Sequence, residues 1–158
     1  DDHSVPDLGV EDVERFLSKY DVRVRTMSAD TSTAESAATA LQTDVASIVK
    51  SLLFMHGSTP ILALVSGTRS VVPERLAGVV GADSIRLARP REVQLQTGYA
   101  VGGVPPVAHR HSLRVVMDCH LTESPLVYAA AGSSSAIFEI RPEELSRIAN
   151  AEVHDFAE

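Results

Sequence analysis

An α+β fold with a mixed sheet is predicted by three observations. Two apolar runs, Ile48–Met55 and Ile61–Val65, flank the turn His56-Gly-Ser-Thr-Pro60 and read as a hairpin inside a sheet. Helical and strand periodicities alternate along the chain without the regular rhythm of a βαβ protein. The length, 158 residues, suits one domain with a real core.

The elements follow in order. Val10, Val13, Phe16, Leu17 and Tyr20 recur at helical spacing, so the packed domain is expected to start at residue 10, after a flexible segment 1–9. Val22, Val24 and Thr26 alternate with Arg23 and Arg25 as in a half-buried strand. Ser32 and Glu35 have the spacing of a capping box before an Ala-rich helix, with Ala34, Ala37, Ala38 and Leu41 as its small buried stripe. Asp44 is placed to cap a further short turn. After the hairpin, Pro73 opens a helix that stops at Gly81. Ile85–Ala88 reads as a strand. Pro90 opens a helix that Gly98 closes. Leu113–Met117, Leu126–Ala131 and Ala136–Ile140 read as strands, the last two joined by the turn Gly132-Ser-Ser-Ser135. Pro142 opens a last helix, and Glu152–Phe156 reads as an edge strand or tail.

Composition bounds the function. Hydrophobic residues are 44% and charged residues 22%, as in ordinary globular domains. No apolar run reaches the roughly 18 residues of a membrane span, and the start Asp1-Asp2-His3-Ser4 does not read as a signal peptide. The single cysteine, Cys119, excludes an internal disulfide and fits a reducing, cytoplasmic setting. Aromatics at 4% disfavour a base-stacking platform. A net charge of −7 argues against wide nucleic-acid binding. Between Ser84 and Met117, however, Arg86, Arg89, Arg91, Arg110 and Arg114 stand against Glu92 alone. Such a local surplus either holds a short phosphate-bearing end or is a set of solvated arginines.

Within that stretch lies Leu95–Val107, with glycines at 98, 102 and 103 and prolines at 105 and 106. Glycine permits positive φ and close backbone approach, and proline stiffens. The stretch reads as a rigid loop with a bare backbone at Gly102 and Gly103. Lys50 interrupts an apolar run. It either meets a partner or packs its stem and snorkels. His109, His111, Asp118, Cys119 and His120 are metal-ligand types, yet no recognised spacing brings four together, so no metal is assigned. No base is fixed beside Cys119. The chain has no G-x-S-x-G elbow, P-loop or G-x-G-x-x-G, so a conventional triad or nucleotide site is unsupported.

Four stretches then fall into one pattern: Thr33-Ala-Glu-Ser-Ala-Ala38, Ile48-Val-Lys-Ser-Leu-Leu-Phe54, Thr97-Gly-Tyr-Ala-Val-Gly-Gly-Val-Pro-Pro-Val107 and Val127-Tyr-Ala-Ala-Ala-Gly-Ser133. Their order and spacing resemble the YbaK/prolyl-tRNA-synthetase-associated editing family, the aminoacyl-tRNA deacylases, from about Val10 to Phe156. The resemblance implies a mixed, bifurcated sheet surrounded by helices, with residues 10–158 as the editing domain. It implies hydrolysis of the ester of a mischarged tRNA, most often tRNA(Pro) carrying cysteine, alanine or serine, by a free-standing enzyme without a cofactor. The implied partners are the aminoacyl-tRNA acceptor end and a synthetase, with no membrane. Lys50 matches the family's functional lysine and Gly102–Pro106 its G-x-x-x-P loop. The expected catalytic set is Lys50, Gly102 and Gly103, the glycines as backbone donors. The expected substrate-binding set is Tyr99, Val104, Pro105, Pro106, His109, Gly132 and Ser133. Pro105 stands where the family commonly has serine, Ala108 where it has glycine, and Arg75 where it has lysine. The alternatives are a non-catalytic tRNA-end or protein-binding module with this fold, and a metal-dependent hydrolase using His109, His111 and His120.

Overall fold

A long hairpin is the spine of the molecule. The computed structural model describes residues 7–158. β2 (Val49–His56) and β3 (Thr59–Ser66) pair antiparallel from Val49↔Ser66 to His56↔Thr59. Gly57, at φ +58°, makes the two-residue turn. The apolar run of β3 is continuous because Ile61–Ser66 are buried, with cores on both faces of the sheet. On β2, Val49, Leu53 and Met55 enter the larger core while Phe54 enters the smaller one.

Around the hairpin the sheet runs β4-β2-β3-β5-β8. β4 (Arg86–Leu87) is antiparallel to β2. β5 (Arg114–Asp118) runs parallel to β3, and β8 (Glu152–His154) parallel to β5. A second, antiparallel sheet has the order β1-β7-β6: β1 (Val24–Thr26), β7 (Ala136–Ile140) and β6 (Val127–Ala130). The sheets touch at one parallel bridge, Ile48↔Tyr128, so the chain forks where β2 begins. This is the mixed, divided α+β arrangement expected from the sequence.

The helices are α1 (Val10–Leu17), α2 (Ala34–Leu41), α3 (Pro73–Val80), α4 (Pro90–Thr97) and α5 (Pro142–Ile148). Proline begins α3, α4 and α5, and Gly81 and Gly98 end α3 and α4 with φ of +74° and +92°. None of the described helices is long and apolar enough to cross a membrane.

Three expectations shift. The cap of α2 is Thr33, paired with Ser36, because the Ser32 hydroxyl is engaged by Asp30 at 2.7 Å. Asp44 precedes the turn Val45–Ser47 but caps it with its carbonyl, which accepts from Ser47 Oγ at 2.7 Å. The packed chain starts earlier than residue 10: Leu8 N donates to Gly98 O at 2.9 Å, and Asp7 accepts from Gln94 at 2.9 and 3.0 Å. Of the segment 1–9 expected to be flexible, residues 1–6 lie outside the described residues.

The chain end is tied to β5. Asp118 is fully buried, and its Oδ1 accepts the backbone N–H groups of Phe156 (3.0 Å) and Ala157 (3.1 Å). Asp118→Ala leaves two buried donors unpaired, at roughly 2–4 kcal/mol in total. A fall in Tm on the order of 10 °C is expected for a chain of this size. Thermal denaturation followed by circular dichroism checks it, and an unchanged Tm would remove the tether from the account.

Candidate active site

The fork opens a cleft of about 350 Å³. One wall is the start of β2. Lys50 is half-buried there, and its Nζ donates to the Arg69 carbonyl at 2.5 Å. Burial lowers the Lys50 pKa from the ordinary 10.5, and the Glu35 carboxylate partly opposes this. A neutral carbonyl aims the ammonium without cancelling its charge, so the charge stays available to an anionic group. Next to it, Ser51 Oγ is buried with no hydrogen-bond partner among the described residues. Ser51 is thus a site residue that the sequence reading passed over. Its signal was present, as a second polar residue in the same apolar run.

The facing wall is the glycine–proline loop together with the first turn of α2. Val101 and Gly102 form the lip, and Val104 is buried beneath it. Gly102 has φ +97°, a region open to glycine, and a Cβ there would lie 3.1 Å from Ser32 Cβ. Its N–H has no partner among the described residues. Thr33 and Glu35 border the cleft from α2, and Tyr128 and Ile137 from the smaller sheet.

Of the expected residues, Lys50, Gly102 and Val104 meet at this cleft. The others stand behind the loop. Gly103 was expected to donate, but its N–H is engaged by Ala100 O at 3.1 Å. Its carbonyl accepts from Gly132 N at 2.9 Å, and a Cβ on Gly103 would fall 2.9 Å from the Ser133 backbone. Gly103 is glycine for close packing. Gly132, at φ +101°, packs on the Gly9 backbone, and Ser133 Oγ accepts from Ser135 N at 3.3 Å. Tyr99 was expected to touch substrate but is 1% exposed, and its hydroxyl donates to Ala108 O at 2.7 Å. Burial, with Asp12 nearby, holds that phenol well above its ordinary pKa. Pro105 and Pro106 are buried. His109 Nε2 lies 2.7 Å from Pro105 O, and a carbonyl can only accept, so this nitrogen carries the proton. His109 faces a separate depression with Phe16 and Ile148.

The metal-type residues do not converge as one set. His109 is on the loop and His111 is exposed, whereas Asp118, Cys119, His120 and Asp155 cluster at the far end of β5. There Asp118 Oδ2 accepts from His120 Nδ1 at 2.7 Å, which leaves the carboxylate fully occupied by the protein. Burial and the neighbouring Asp118 and Asp155 push the Cys119 thiol pKa up, against nucleophilic use. The basic stretch is largely neutralised as well. Arg86 forms a two-pronged pair with Glu92 at 2.7 and 2.8 Å, Arg114 meets Glu152 at 3.2 Å, and Arg110 meets Asp7 at 3.8 Å.

The cleft at the fork of the two sheets is thus faced by a lysine on one side and a glycine backbone on the other. The family model "Aminoacyl-tRNA editing domain" matches residues 28–148, and the chain belongs to that family. A solved structure described as a candidate trans-editing enzyme for prolyl tRNA synthetase is 37% identical with a TM-score of 0.88, over 94% of this chain and 96% of that one. The chain is 24% identical over 141 residues, 89% of it and 86% of the relative, to EbsC of Enterococcus faecalis (strain ATCC 700802 / V583), named as a candidate Cys-tRNA(Pro)/Cys-tRNA(Cys) deacylase. It is also 40% identical over 74 residues to proline–tRNA ligase of Nitratidesulfovibrio vulgaris (strain DP4), a match spanning 47% of this chain and 13% of the ligase.

Burial lowers the His109 pKa from the ordinary 6.5, and the Pro105 carbonyl partly opposes this. A histidine with a depressed folded pKa adds stability that is full above about pH 6.5 and lost as pH falls through the folded value. His109→Gln removes that titration. The Tm gap between wild type and His109→Gln is therefore expected to shrink from pH 7 to pH 5. Parallel melts across that range check the sign, and a gap that widens on acidification would contradict it.

Proposed function

We propose that this chain is a trans-editing deacylase that removes a small wrong amino acid, cysteine, alanine or serine, from tRNA(Pro) in the cytoplasm. The observation that carries the reading is the shared cleft of Lys50, Ser51 and Gly102. Its volume of about 350 Å³ falls at the small end of ligand pockets, in keeping with an aminoacyl group on a ribose. Family membership supports the reaction class, and the relation to proline–tRNA ligase supports the tRNA.

The reaction needs little from the protein. Water adds to the ester carbonyl, the bond to the ribose oxygen breaks, that oxygen takes a proton, and the amino acid leaves as a carboxylate. An aminoacyl ester is already activated, so placing water and stabilising the oxyanion suffice. In this reading Gly102 N–H points at the developing oxyanion. Lys50 holds the ester end or the terminal phosphate as a point charge. Ser51 Oγ gives the aminoacyl group a hydrogen-bond partner, and the neighbouring ribose hydroxyl of the substrate helps deliver water. Proline–tRNA ligases need such help because small apolar side chains are poorly separated by binding alone.

The test uses tRNA(Pro) charged separately with alanine, cysteine, serine and proline. Loss of at least one non-proline ester is expected, slowed about 100- to 1,000-fold by Lys50→Ala and roughly tenfold by Ser51→Ala. Retention of every ester, with binding intact, would instead leave a tRNA-end binding module. An unchanged rate in Lys50→Ala would remove Lys50 from the reaction.

A further inference from the structure

Three of the five arginines that carry the basic surplus of residues 84–117 are held by the chain's own carboxylates: Arg86 by Glu92, Arg110 by Asp7 and Arg114 by Glu152. Arg25 differs. It is exposed on β1, and its side chain makes no hydrogen bond or ion pair among the described residues. Its place is fixed by register. Val24 pairs with Phe138 and Arg25 with Ile137, while Ala130 pairs with Ile137 on the other side. Val22 and Val24 pack on the larger core, so Arg23 and Arg25 point to the opposite face. Ile137 and Ala130 lie on that face and line the cleft. Directly paired residues sit about 5 Å apart. The Arg25 guanidinium is therefore within one side-chain length of the cleft wall.

Arg23 continues the stripe one strand repeat further out, about 6.6 Å away. It is exposed and unpaired too, although Glu14 and Asp21 share a surface depression with it. Glu139 is the carboxylate that β7 places on the same face, so Arg25 carries the stronger claim. The stripe leads out of the cleft, and Arg25 is its cationic position on a protein of net charge −7. Any nucleic acid whose 3′ end enters the cleft must leave it with phosphates in tow, and unpaired guanidinium groups bind phosphate in two-pronged fashion.

We propose that Arg25, with Arg23 behind it, is the phosphate-binding bank that orients the 3′ strand of the RNA as it leaves the cleft. The occupant is the sugar–phosphate backbone of the acceptor end, held without base readout. This inference rests on the deacylase reading for its substrate and not for its geometry.

The test separates the two. Wild type, Arg25→Glu and Arg23→Glu/Arg25→Glu are compared on charged tRNA(Pro), on the same amino acid esterified to adenosine without phosphate, and for binding an uncharged RNA hairpin with the acceptor stem and its single-stranded 3′ end. Arg25→Glu is expected to weaken hairpin binding and raise KM on charged tRNA by roughly tenfold. Turnover of the adenosine ester should stay at the wild-type rate. The slope of log affinity against log salt should fall by about 0.7 for each phosphate that is no longer neutralised. Equal hairpin binding and salt slope in all three proteins would overturn the proposal. So would equal losses on tRNA and on the adenosine ester, which would put Arg25 at the ester instead. If no ester is hydrolysed by wild type while Arg25→Glu still weakens hairpin binding, the deacylase reading falls and the RNA bank stands.

Discussion

The site depends on one half-buried cation finding a carbonyl. Lys50 sits in the second position of a strand whose neighbours are apolar, and burial alone would favour its neutral form. The Arg69 carbonyl at 2.5 Å supplies a partner that compensates the ammonium without neutralising it. A carboxylate in that place would have made a closed ion pair, structurally sound and chemically mute. Glu35 is instead a longer-range influence that favours the charged form. The hairpin also puts the start of β2 where the two sheets part, and Lys50 there borders the cleft. The bridge Ile48↔Tyr128, two residues before Lys50, marks that point.

The loop opposite is a problem of backbone placement, solved by layers. Gly102 faces the cleft, and Gly103 behind it is pressed on Ser133. Gly132 then packs on Gly9, which caps α1. Each step needs the absence of a side chain, so the loop is located by close backbone contact from the N-terminal helix inward. Tyr99, Pro105, Pro106 and His109 belong to this support. The Tyr99 hydroxyl holds the Ala108 carbonyl, and His109 holds the Pro105 carbonyl. In the proposed deacylase reading, a preorganised donor at Gly102 is useful in proportion to how little it moves, and these buried residues serve it without contact with substrate.

Much of this was legible in the sequence, for physical reasons. Proline starts and glycine stops bounded α3 and α4, since φ constraints act locally. Lys50 stood out because a charge in an apolar run is costly. What failed was assignment within motifs. Gly102 and Gly103 are chemically identical in sequence, and only tertiary packing decides which N–H is left open. Tyr99 carries a polar group beside the loop, but its direction depends on the turn that follows. The arginines of 86–114 read as a patch because Glu152 and Asp7, which engage two of them, are distant in sequence. The α2 cap slipped by one residue because Asp30 claims the Ser32 hydroxyl, a contest that spacing alone does not reveal.

In the proposed deacylase reading, the departures from the family pattern bear on specificity in the same indirect way. Pro105 is buried and its side chain does not line the cleft, so a serine-to-proline difference there acts through loop shape. Proline fixes φ and removes a donor, while its carbonyl remains the acceptor for His109. Ala108 holds φ +65°, a conformation that glycine takes freely and alanine takes at roughly 1–2 kcal/mol. Tyr99 donating to its carbonyl offsets part of that cost. Both substitutions stiffen the same arc of chain behind Val104, the apolar residue beneath the lip of the cleft. A floor that yields less discriminates more sharply by volume, and volume is the property in which proline, alanine, serine and cysteine differ most simply. In the proposed deacylase reading, selection among small amino acids rests on how firmly Val104 is held from behind, with Ser51 Oγ, buried and without a hydrogen-bond partner among the described residues, as the polar group that a purely steric pocket would lack.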